Sequence, residues 1–377
     1  MKINESTILN LTNNMFSNNA EEGDIYKPKS MIDAYIKSMQ VSTFFMKNFF
    51  NQSTLFDTEE VDMDFYKDKR SVAPFVYEGV ESINTSREGF ITKRYKTPYI
   101  GINTIYDKDV LNKRLPGELE YAGLTPEERA VILQMLDYVR LDNMITRREE
   151  LMCAELLQTG IVTIEEYSLD KTKPVNTVKV EYDKNKCEQL TGDKEWSNSN
   201  ADIYGIIEKK ALEIRQAGYN PEVIIIGHEA WSHMLKNKSI LDALDNRRIN
   251  LGCIDPANTS NESGEGYSYL GQISGPIIGN MKMYSYNAWY DKSDGKLTSY
   301  LDPNNVIMTP RNIGEMLYGA ITLIPHADSM DFVTYVQKRV PKISVNHYDN
   351  IKQLSLYSRP LPKVSDVDMW ASIKVVV

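Results

Sequence analysis

The sequence predicts an α+β fold, in which one very long helix lies between groups of strands and a second unit mixes helices with a buried strand. The helix is indicated by a start signal at Thr125, recurring apolar residues and a stop at Gly160. Segments that alternate apolar and polar residues precede and follow it, which is typical of strands. The continuous apolar run Glu222–Ile226 between two helical segments predicts a buried strand in the second unit.

The composition is that of a protein with a sizeable core. Hydrophobic residues make up 42% of the 377 residues, a length that suggests two to three domains. Lys and Arg number 43 against 52 Asp and Glu, and no long basic run occurs, which argues against a dedicated nucleic-acid binder. The cysteines are widely spaced without a CxxC motif, which favours a reducing compartment over a disulfide framework; they are Cys153, Cys187 and Cys253. Because no stretch approaches 18 apolar residues and the first residues lack a signal-peptide core, we expect neither a membrane span nor a leader.

The first third of the chain predicts a polar arm followed by strands. Residues 1–30 are polar and Asn-rich and predict a mobile arm. Ser30–Phe50 is apolar again, and predicts either a short helix docked on its own core or an arm that packs on a neighbouring subunit. Asp57–Tyr66 alternates with period two and predicts a strand, whereas Ser71–Tyr77 is broken by Pro74 and suits an edge or a bend.

The segment Thr85–Glu120 is the most informative part of the chain. It is polar and β-prone, and its prolines exclude a helix. So few apolar residues cannot make a core. The segment is therefore either a disordered loop or a two-stranded extension, and an isolated hairpin is only marginally stable without a neighbour.

The helix that follows is too long for a small domain. Thr125 is a good N-cap, Pro126 suits the first helical position and Glu128 completes a capping box. A helix that runs on to Gly160 is about 50 Å long. A projecting arm joined to such a helix favours assembly over catalysis.

The remainder of the chain predicts a hairpin, a mixed α/β unit and a strand-rich tail that returns to the first sheet. Gly252–Gly279 is rich in Gly, Ser and Asn and predicts a long loop. The hairpin is assigned to 161–169 and 176–182, the helices to 201–217, 228–235 and 239–246, and the later strands to 282–289, 297–301, 306–309 and 317–324.

No motif predicts a catalytic residue, a cofactor or a metal. His228 and His233 are five residues apart, whereas a zinc-binding H-E-x-x-H motif places its histidines four apart on one helix face. Ser274 does not lie in a G-x-S-x-G elbow, and the turn Asp291–Gly295 lacks the glutamate that a calcium loop needs at its twelfth position. An α/β enzyme built on residues 200–330 is kept as an alternative.

Several segments, in this order and spacing, resemble the E-type major capsid proteins of lambda-like tailed phages. The resemblance covers roughly residues 48–377. It is carried by Phe49–Phe65, Ala73–Glu81, Leu111–Glu118, Arg147–Gly160, Glu195–Ile207, Val223–Arg248, Tyr300–Pro310 and Arg359–Val376.

This resemblance implies a Hong Kong 97-like major capsid fold. The domains that it implies are an N-terminal arm at 1–56, P-domain strands at 57–81, an E-loop β-hairpin at 82–122, a P-domain segment at 123–199 with spine helix 125–159 and a β-hairpin, an A-domain at 200–330, and C-terminal P-domain strands at 331–377. The implied assembly contacts are Arg94, Lys96, Tyr99, Lys108 and Arg114 in the E-loop, Asn261, Glu265 and Tyr267 at the A-domain tip, and Phe44 and Phe49 in the arm.

The implied function is self-assembly into the hexamers and pentamers of an icosahedral phage head that encloses double-stranded DNA. The implied partners are other copies of the chain, a separate scaffold protein, a portal, a decoration protein in some relatives, and DNA held without sequence preference. The implied location is the virion capsid, assembled in the cytoplasm of a bacterial host. An encapsulin-like nanocompartment shell, built on the same fold, is the main alternative.

Overall fold

The computed structural model describes most of the chain beyond residue 40. The described residues are 41–66, 72–73, 75, 90–111, 113, 125–167, 174–183, 186–238, 240, 252–253, 266–292, 295–325, 331–346, 348 and 351–376. The predicted arm at 1–30, the strand at 71–77 and the helix at 239–246 lie wholly or mostly outside them.

The long helix is present as predicted. Helix α3 spans Pro126–Thr159, 34 residues, and short helices α1 (Phe44–Phe49) and α2 (Lys108–Leu111) precede it. Its C-terminal part is buried, with Cys153, Leu156 and Leu157 fully covered, whereas its N-terminal part is mostly half-exposed. The helix is therefore embedded in the core over its C-terminal half, from about Leu141 onwards.

A seven-stranded sheet forms the second unit. Its order is β7-β21-β14-β8-β11-β10-β9. The predicted buried strand is confirmed as β8, and a helix, α4, packs on the sheet through an apolar face. The elements are β7 (Cys187–Gln189), α4 (Ile203–Ala217), β8 (Val223–Ile226), α5 (His228–Lys236), β9 (Gly252–Cys253), β10 (Tyr267–Gly275), β11 (Gly279–Tyr286), β14 (Asn305–Thr309) and β21 (Ala371–Lys374).

The prediction of one long loop at Gly252–Gly279 is wrong for its second half. Strand β10 pairs with β11 from Tyr267 to Gly275 and also meets β9. The high Gly and Ser content hid the larger residues along this strand, and a register shift between Tyr269 and Gly271 breaks their alternation, so Tyr269 packs on one core cluster and Ile273 on the other.

The C-terminal strands return to three different sheets. Strand β21 joins the seven-stranded sheet, β20 (Pro360–Val364) pairs with β15 (Gly314–Tyr318), and β19 pairs with the strand that leads into α2. The remaining strands are β1 (Gln52–Leu55), β5 (Ile161–Tyr167), β6 (Pro174–Glu181), β12 (Trp289–Asp291), β13 (Leu297–Ser299), β16 (Ile321–Leu323), β17 (Val333–Tyr335), β18 (Val340–Asn346) and β19 (Ile351–Ser358). The predicted hairpin after α3 is confirmed as β5–β6.

The two strands of the predicted arm do not pair with each other, which corrects the expected two-stranded extension. Strand β3 (Phe90–Lys96) pairs with β2 (Glu60–Tyr66), and β4 (Ile100–Tyr106) pairs with β19. The two-stranded element of this region is therefore the β2–β3 ribbon.

Strand β4 belongs to the core of its own chain. Tyr106 is buried against Leu141 and Ile145 of α3, with Ile100 and Ile102 packed beside it. These apolar residues alternate along β4 and so face the helix together. The expectation that this segment has no core is wrong for β4, because α3 and β19 supply it.

Candidate assembly surfaces

The β2–β3 ribbon carries its charged side chains on an exposed face. Arg94 binds Asp62 across the two strands, with Nε–Oδ1 2.6 Å and Nη2–Oδ2 3.0 Å. The hydrogen bond from Arg94 lowers the pKa of Asp62. Lys96 lies 4.0 Å from Glu59. Because both pairs are exposed to water, they hold the ribbon only weakly and leave it able to contact another surface.

The ribbon is fixed to the core at its root. Val61 and Met63 are buried, and the Tyr95 ring stacks on Tyr182 with 6.0 Å between centroids. The Tyr95 hydroxyl donates to the Glu181 carbonyl at 3.2 Å, and Tyr182 donates to the Pro362 carbonyl at 2.7 Å. The root thus has a fixed position relative to β6 and β20.

Backbone contacts at the root leave no room for a side chain at Gly319. Thr97 donates to the Glu59 carbonyl through both its amide (3.1 Å) and its hydroxyl (2.8 Å), and Ala320 donates to the Thr58 carbonyl at 3.1 Å. A Cβ at Gly319 would collide with Thr97 Oγ1.

We therefore expect Gly319→Ala to destabilise the subunit by about 1–3 kcal/mol, the usual effect of overpacking. Urea unfolding of the unassembled subunit measures it. Adding Thr97→Ala removes the colliding oxygen, so the double variant should regain part of the loss. Wild-type stability for Gly319→Ala alone would contradict this account of the root.

The N-terminal segment is anchored by an aromatic cluster. Phe44 lies 4.6 Å from Tyr267 and 5.3 Å from Tyr286, measured between ring centroids, and Phe45 and Phe49 pack beside it. All three Phe rings are buried within their own chain. Of the two alternatives for Ser30–Phe50, the described part, 41–50, docks on its own core.

Glu150 of α3 binds the start of helix α1 from inside the core. Its carboxylate accepts hydrogen bonds from the amides of Phe45 (2.8 Å) and Met46 (3.1 Å) and from the Tyr286 hydroxyl (3.1 Å). Burial raises the pKa of Glu150 to about 7, although these donors lower it in part. One carboxylate therefore connects helix α3, helix α1 and strand β11.

Arg339 clamps the C-terminal strands to α3. It holds both oxygens of the buried Glu149, at 2.7 and 2.8 Å, and its Nε donates to Asp142 at 2.7 Å. Its Nη1 also donates to the Ser358 hydroxyl at 3.1 Å. Hydrogen bonding to Glu149 raises the pKa of Arg339 despite its burial. This bidentate pair fixes the sheet of β4, β18 and β19 against the helix.

The structure corrects three of the predicted contact residues. Phe44 and Phe49 are buried in the core of their own chain, so their rings are not available to a neighbour. Tyr267 is not at a loop tip, because it begins β10 and packs on Phe44.

The other predicted contact residues fall into two groups. Arg94, Lys96 and Tyr99 lie on the ribbon or at its root, and each is exposed. Lys108 begins α2, but its side chain is outside the described part, as are residues Arg114, Asn261 and Glu265. Sequence reasoning missed Glu149, Glu150, Arg339 and Arg359. Because Glu149 and Glu150 directly follow Arg147 and Arg148 on α3, the local sequence gives no sign that their charges are buried.

Among the described residues, no group of three or more His, Cys, Asp or Glu side chains could hold a metal ion. His228 and His233 lie on α5 with no such group around them. No helix in the described part is long and apolar enough to cross a membrane.

The long helix, the rooted ribbon and the clamped strand sheet make an α+β subunit whose fold matches that of a known protein. A crystal structure described as a prophage capsid protein of Escherichia coli CFT073 superposes with a TM-score of 0.60 at 19% identity, covering 92% of this chain and 98% of that one. The predicted α+β, Hong Kong 97-like fold is confirmed.

The sequence comparison gives the family. The chain belongs to the phage major capsid protein E family, which matches residues 29–375. It is 22% identical over 357 residues to the major capsid protein of Enterobacteria phage P21, covering 93% of this chain and 99% of that protein. The P21 prophage-derived major head protein of Escherichia coli O6:H1 matches equally well. The chain is thus a structural protein of the phage capsid, and its family is not one of enzymes.

Proposed function

We propose that this chain forms the hexamers and pentamers of an icosahedral head around double-stranded DNA, and that the β2–β3 ribbon is the E-loop that lies on a neighbouring subunit. The observation that carries this proposal is the ribbon itself. Its strands form a sheet of two, and in the described part no third strand joins them. Because a two-stranded ribbon is marginal in water, contact with a second subunit would stabilise it.

This proposal moves the E-loop towards the N-terminus. The expected bounds were 82–122, but the described parts of the ribbon and its root are 57–66 and 90–97, and β4 lies in the core. The other domain assignments stay as proposed: α3 as the spine, the sheet of β4, β18 and β19 as part of the P-domain, and 200–330 as the A-domain.

Further partners follow from the capsid role. As further partners of the subunit we propose a separate scaffold protein, a portal and a decoration protein. We also propose that assembly takes place in the cytoplasm of a bacterial host. The net charge of -9 supports a container that holds DNA without gripping it, because like charges repel. Strong, salt-sensitive binding of DNA by the purified subunit would argue against this last point.

Shortening the ribbon tests the proposed function. Asp64 and Thr92 are paired directly across the strands, so a two-residue Asn-Gly turn can replace residues 65–91. We expect a folded subunit with near-normal thermal unfolding that forms no shells under conditions where the wild-type chain does, as seen by electron microscopy.

A second deletion distinguishes the ribbon from the core. Removing residues 89–118 also removes β4, so we expect that variant to unfold rather than merely to fail in assembly. Normal shells from the shortened ribbon would contradict its role as the E-loop.

A further inference from the structure

Three arginines lie on one face of helix α3. Arg140, Arg147 and Arg148 occupy positions i, i+7 and i+8 of the helix, and Met144 lies between them at i+4. Residues at these spacings share one face of an α-helix. Arg140 and Arg148 are exposed, Arg147 is half-exposed, and Met144 is 45% exposed. These four residues are called the arginine face below.

The guanidinium groups of this face lack the carboxylate partners that other arginines of the chain have. Arg339 binds the buried Glu149, and Arg359 pairs with Glu59 at 3.1 Å. Among the residues that the structure describes, none of the three arginines of the arginine face takes part in an ion pair. Because like charges held close together repel, an anionic partner from outside the chain would stabilise this face.

Two acidic residues border the arginine face, and both have contacts elsewhere in their own chain. Asp137 lies beside the Tyr106 hydroxyl, and the Glu155 carboxylate accepts a hydrogen bond from the Thr163 amide at 3.4 Å. Arg148 attracts Glu155 without forming an ion pair with it. Positive charge is therefore in excess on this face, although the whole chain has 52 acidic residues against 43 basic ones.

Building on the capsid function proposed above, we propose that the arginine face contacts the phosphates of the enclosed double-stranded DNA and so belongs to the inner surface of the shell. A guanidinium group binds phosphate oxygens through charge-assisted hydrogen bonds. The stretch from Arg140 to Arg148 covers about 12 Å of helix. Because a duplex carries one negative charge per about 1.7 Å of its axis, several phosphates lie within reach of a stretch of this length.

The composition of the face favours DNA over a second copy of the chain. Interfaces between proteins bury apolar and aromatic side chains at their centre, and the arginine face offers Met144 alone. Contacts to phosphates need positive charge and no reading of the bases. Three such contacts give only weak binding by one subunit, which agrees with an acidic chain that does not hold its DNA tightly.

Binding of a short fluorescent DNA duplex by the unassembled subunit, followed by anisotropy, tests the proposal. We expect weak binding that decreases as the salt concentration rises. Changing Arg140, Arg147 and Arg148 together to Gln should weaken this binding about tenfold or more at low salt. It should also lower the slope of log affinity against log salt by about 2–3, because each phosphate contact contributes about 0.9.

Two further variants separate charge from folding. The same three positions changed to Lys keep the charge, so this variant should bind the duplex with nearly the wild-type slope. Melting temperatures show which variants are folded. If the triple Gln variant unfolds, Arg148→Gln alone, at an exposed position, should still lower the slope by about 0.9.

A matched variant controls for the loss of positive charge in general. Lys209, Lys238 and Arg311 are exposed on other elements of the chain, and changing all three to Gln alters the net charge by the same amount. We expect this variant to keep most of the binding and the wild-type slope. Equal losses from the two triple Gln variants, or wild-type binding by the variant of the arginine face, would overturn the proposal.

A crosslink in filled heads locates the arginine face within the shell. With benzoylphenylalanine at Met144, irradiation of DNA-filled heads should join the subunit to DNA, and DNA-free shells of the same variant should give no adduct between copies. Adducts to a second copy, or failure of a folded triple Gln variant to form DNA-free shells, would place this face between subunits and overturn the proposal.

The contact and the capsid function can fail separately. Normal shells from a wild-type chain whose arginine face neither binds the duplex nor crosslinks to DNA would overturn the contact alone. A wild-type chain that forms no shells under any condition overturns the capsid function, and the contact with enclosed DNA falls with it.

Discussion

Replacing Arg339 with methionine is expected to destabilise the unassembled subunit by about 3–5 kcal/mol, the range for breaking a buried ion pair by removing one partner. Glu149 is only 1% exposed and both its oxygens bind Arg339. Without the arginine its charge would stay buried and unpaired. Against a typical total stability of about 5–15 kcal/mol, this loss removes a large share of the free energy that keeps the subunit folded.

Two control variants distinguish the effect of breaking a buried ion pair from the effect of losing a charge in general. Arg94→Met removes a bidentate pair of similar geometry from the exposed ribbon, so it should leave the unfolding free energy nearly unchanged. Glu149→Leu combined with Arg339→Met removes both buried charges, and should recover most of the stability.

Urea unfolding of dilute subunits, followed by circular dichroism, gives these free energies. An Arg339→Met loss no larger than that of Arg94→Met, or a double variant as unstable as the single one, would show that the clamp does not hold β18 and β19 on the helix.

Local signals explain what the sequence predicts well. Helix α3 begins directly after Thr125, which is a good N-cap residue. It ends directly before Gly160, whose positive φ is typical of a residue that terminates a helix. Strand β8 is a continuous apolar run, and strands β5 and β6 alternate apolar and polar residues. Each feature depends only on residues near it in sequence, so pattern reasoning finds it.

Pairing partners explain what the sequence does not predict. Strands β3 and β4 are neighbours in sequence and similar in composition, yet their partners are β2 and β19, the latter some 250 residues away. Arg339 meets Glu149 across 190 positions. In the sequence, the aromatic run at Phe44 is compatible with an arm that packs on a neighbouring subunit. Its contact with Tyr286 shows that it packs in the core of its own chain. Long-range packing decides these cases, and a single sequence does not display it.

Glu150→Gln is expected to abolish a pH dependence of stability that the wild-type subunit shows between about pH 4.5 and pH 7. The folded-state pKa of Glu150, about 7, lies above its ordinary value of 4.5. The folded chain therefore binds more protons than the unfolded chain in this window. Stability from this group is full below the unfolded pKa and is lost as the pH rises through the folded pKa.

The size of the effect follows from the shift. One pKa unit corresponds to about 1.4 kcal/mol, so the wild-type subunit should lose about 2–3 kcal/mol from this group between pH 5 and pH 8. Glutamine has nearly the same shape and stays neutral. Its carbonyl oxygen, in the place of Oε1, can still accept from Phe45 and Tyr286, whereas its amide nitrogen, in the place of Oε2, loses the hydrogen bond from Met46, so helix α1 keeps two of its three contacts.

The measurement is the unfolding free energy of both proteins at several pH values from 5 to 8. The difference between wild type and Glu150→Gln should change by about 2–3 kcal/mol across this range, with the variant gaining relative stability as the pH rises. Glu229→Gln, on the exposed face of α5, should keep the wild-type pH dependence.

Parallel curves for wild type and Glu150→Gln would mean that Glu150 titrates at its ordinary pKa, and that the anchor of α1 is open to water. A steeper loss of unfolding free energy in the variant as the pH rises would mean that the ionised carboxylate is the stabilising form. In that case the amides of Phe45 and Met46 would hold helix α1 on a charged Glu150.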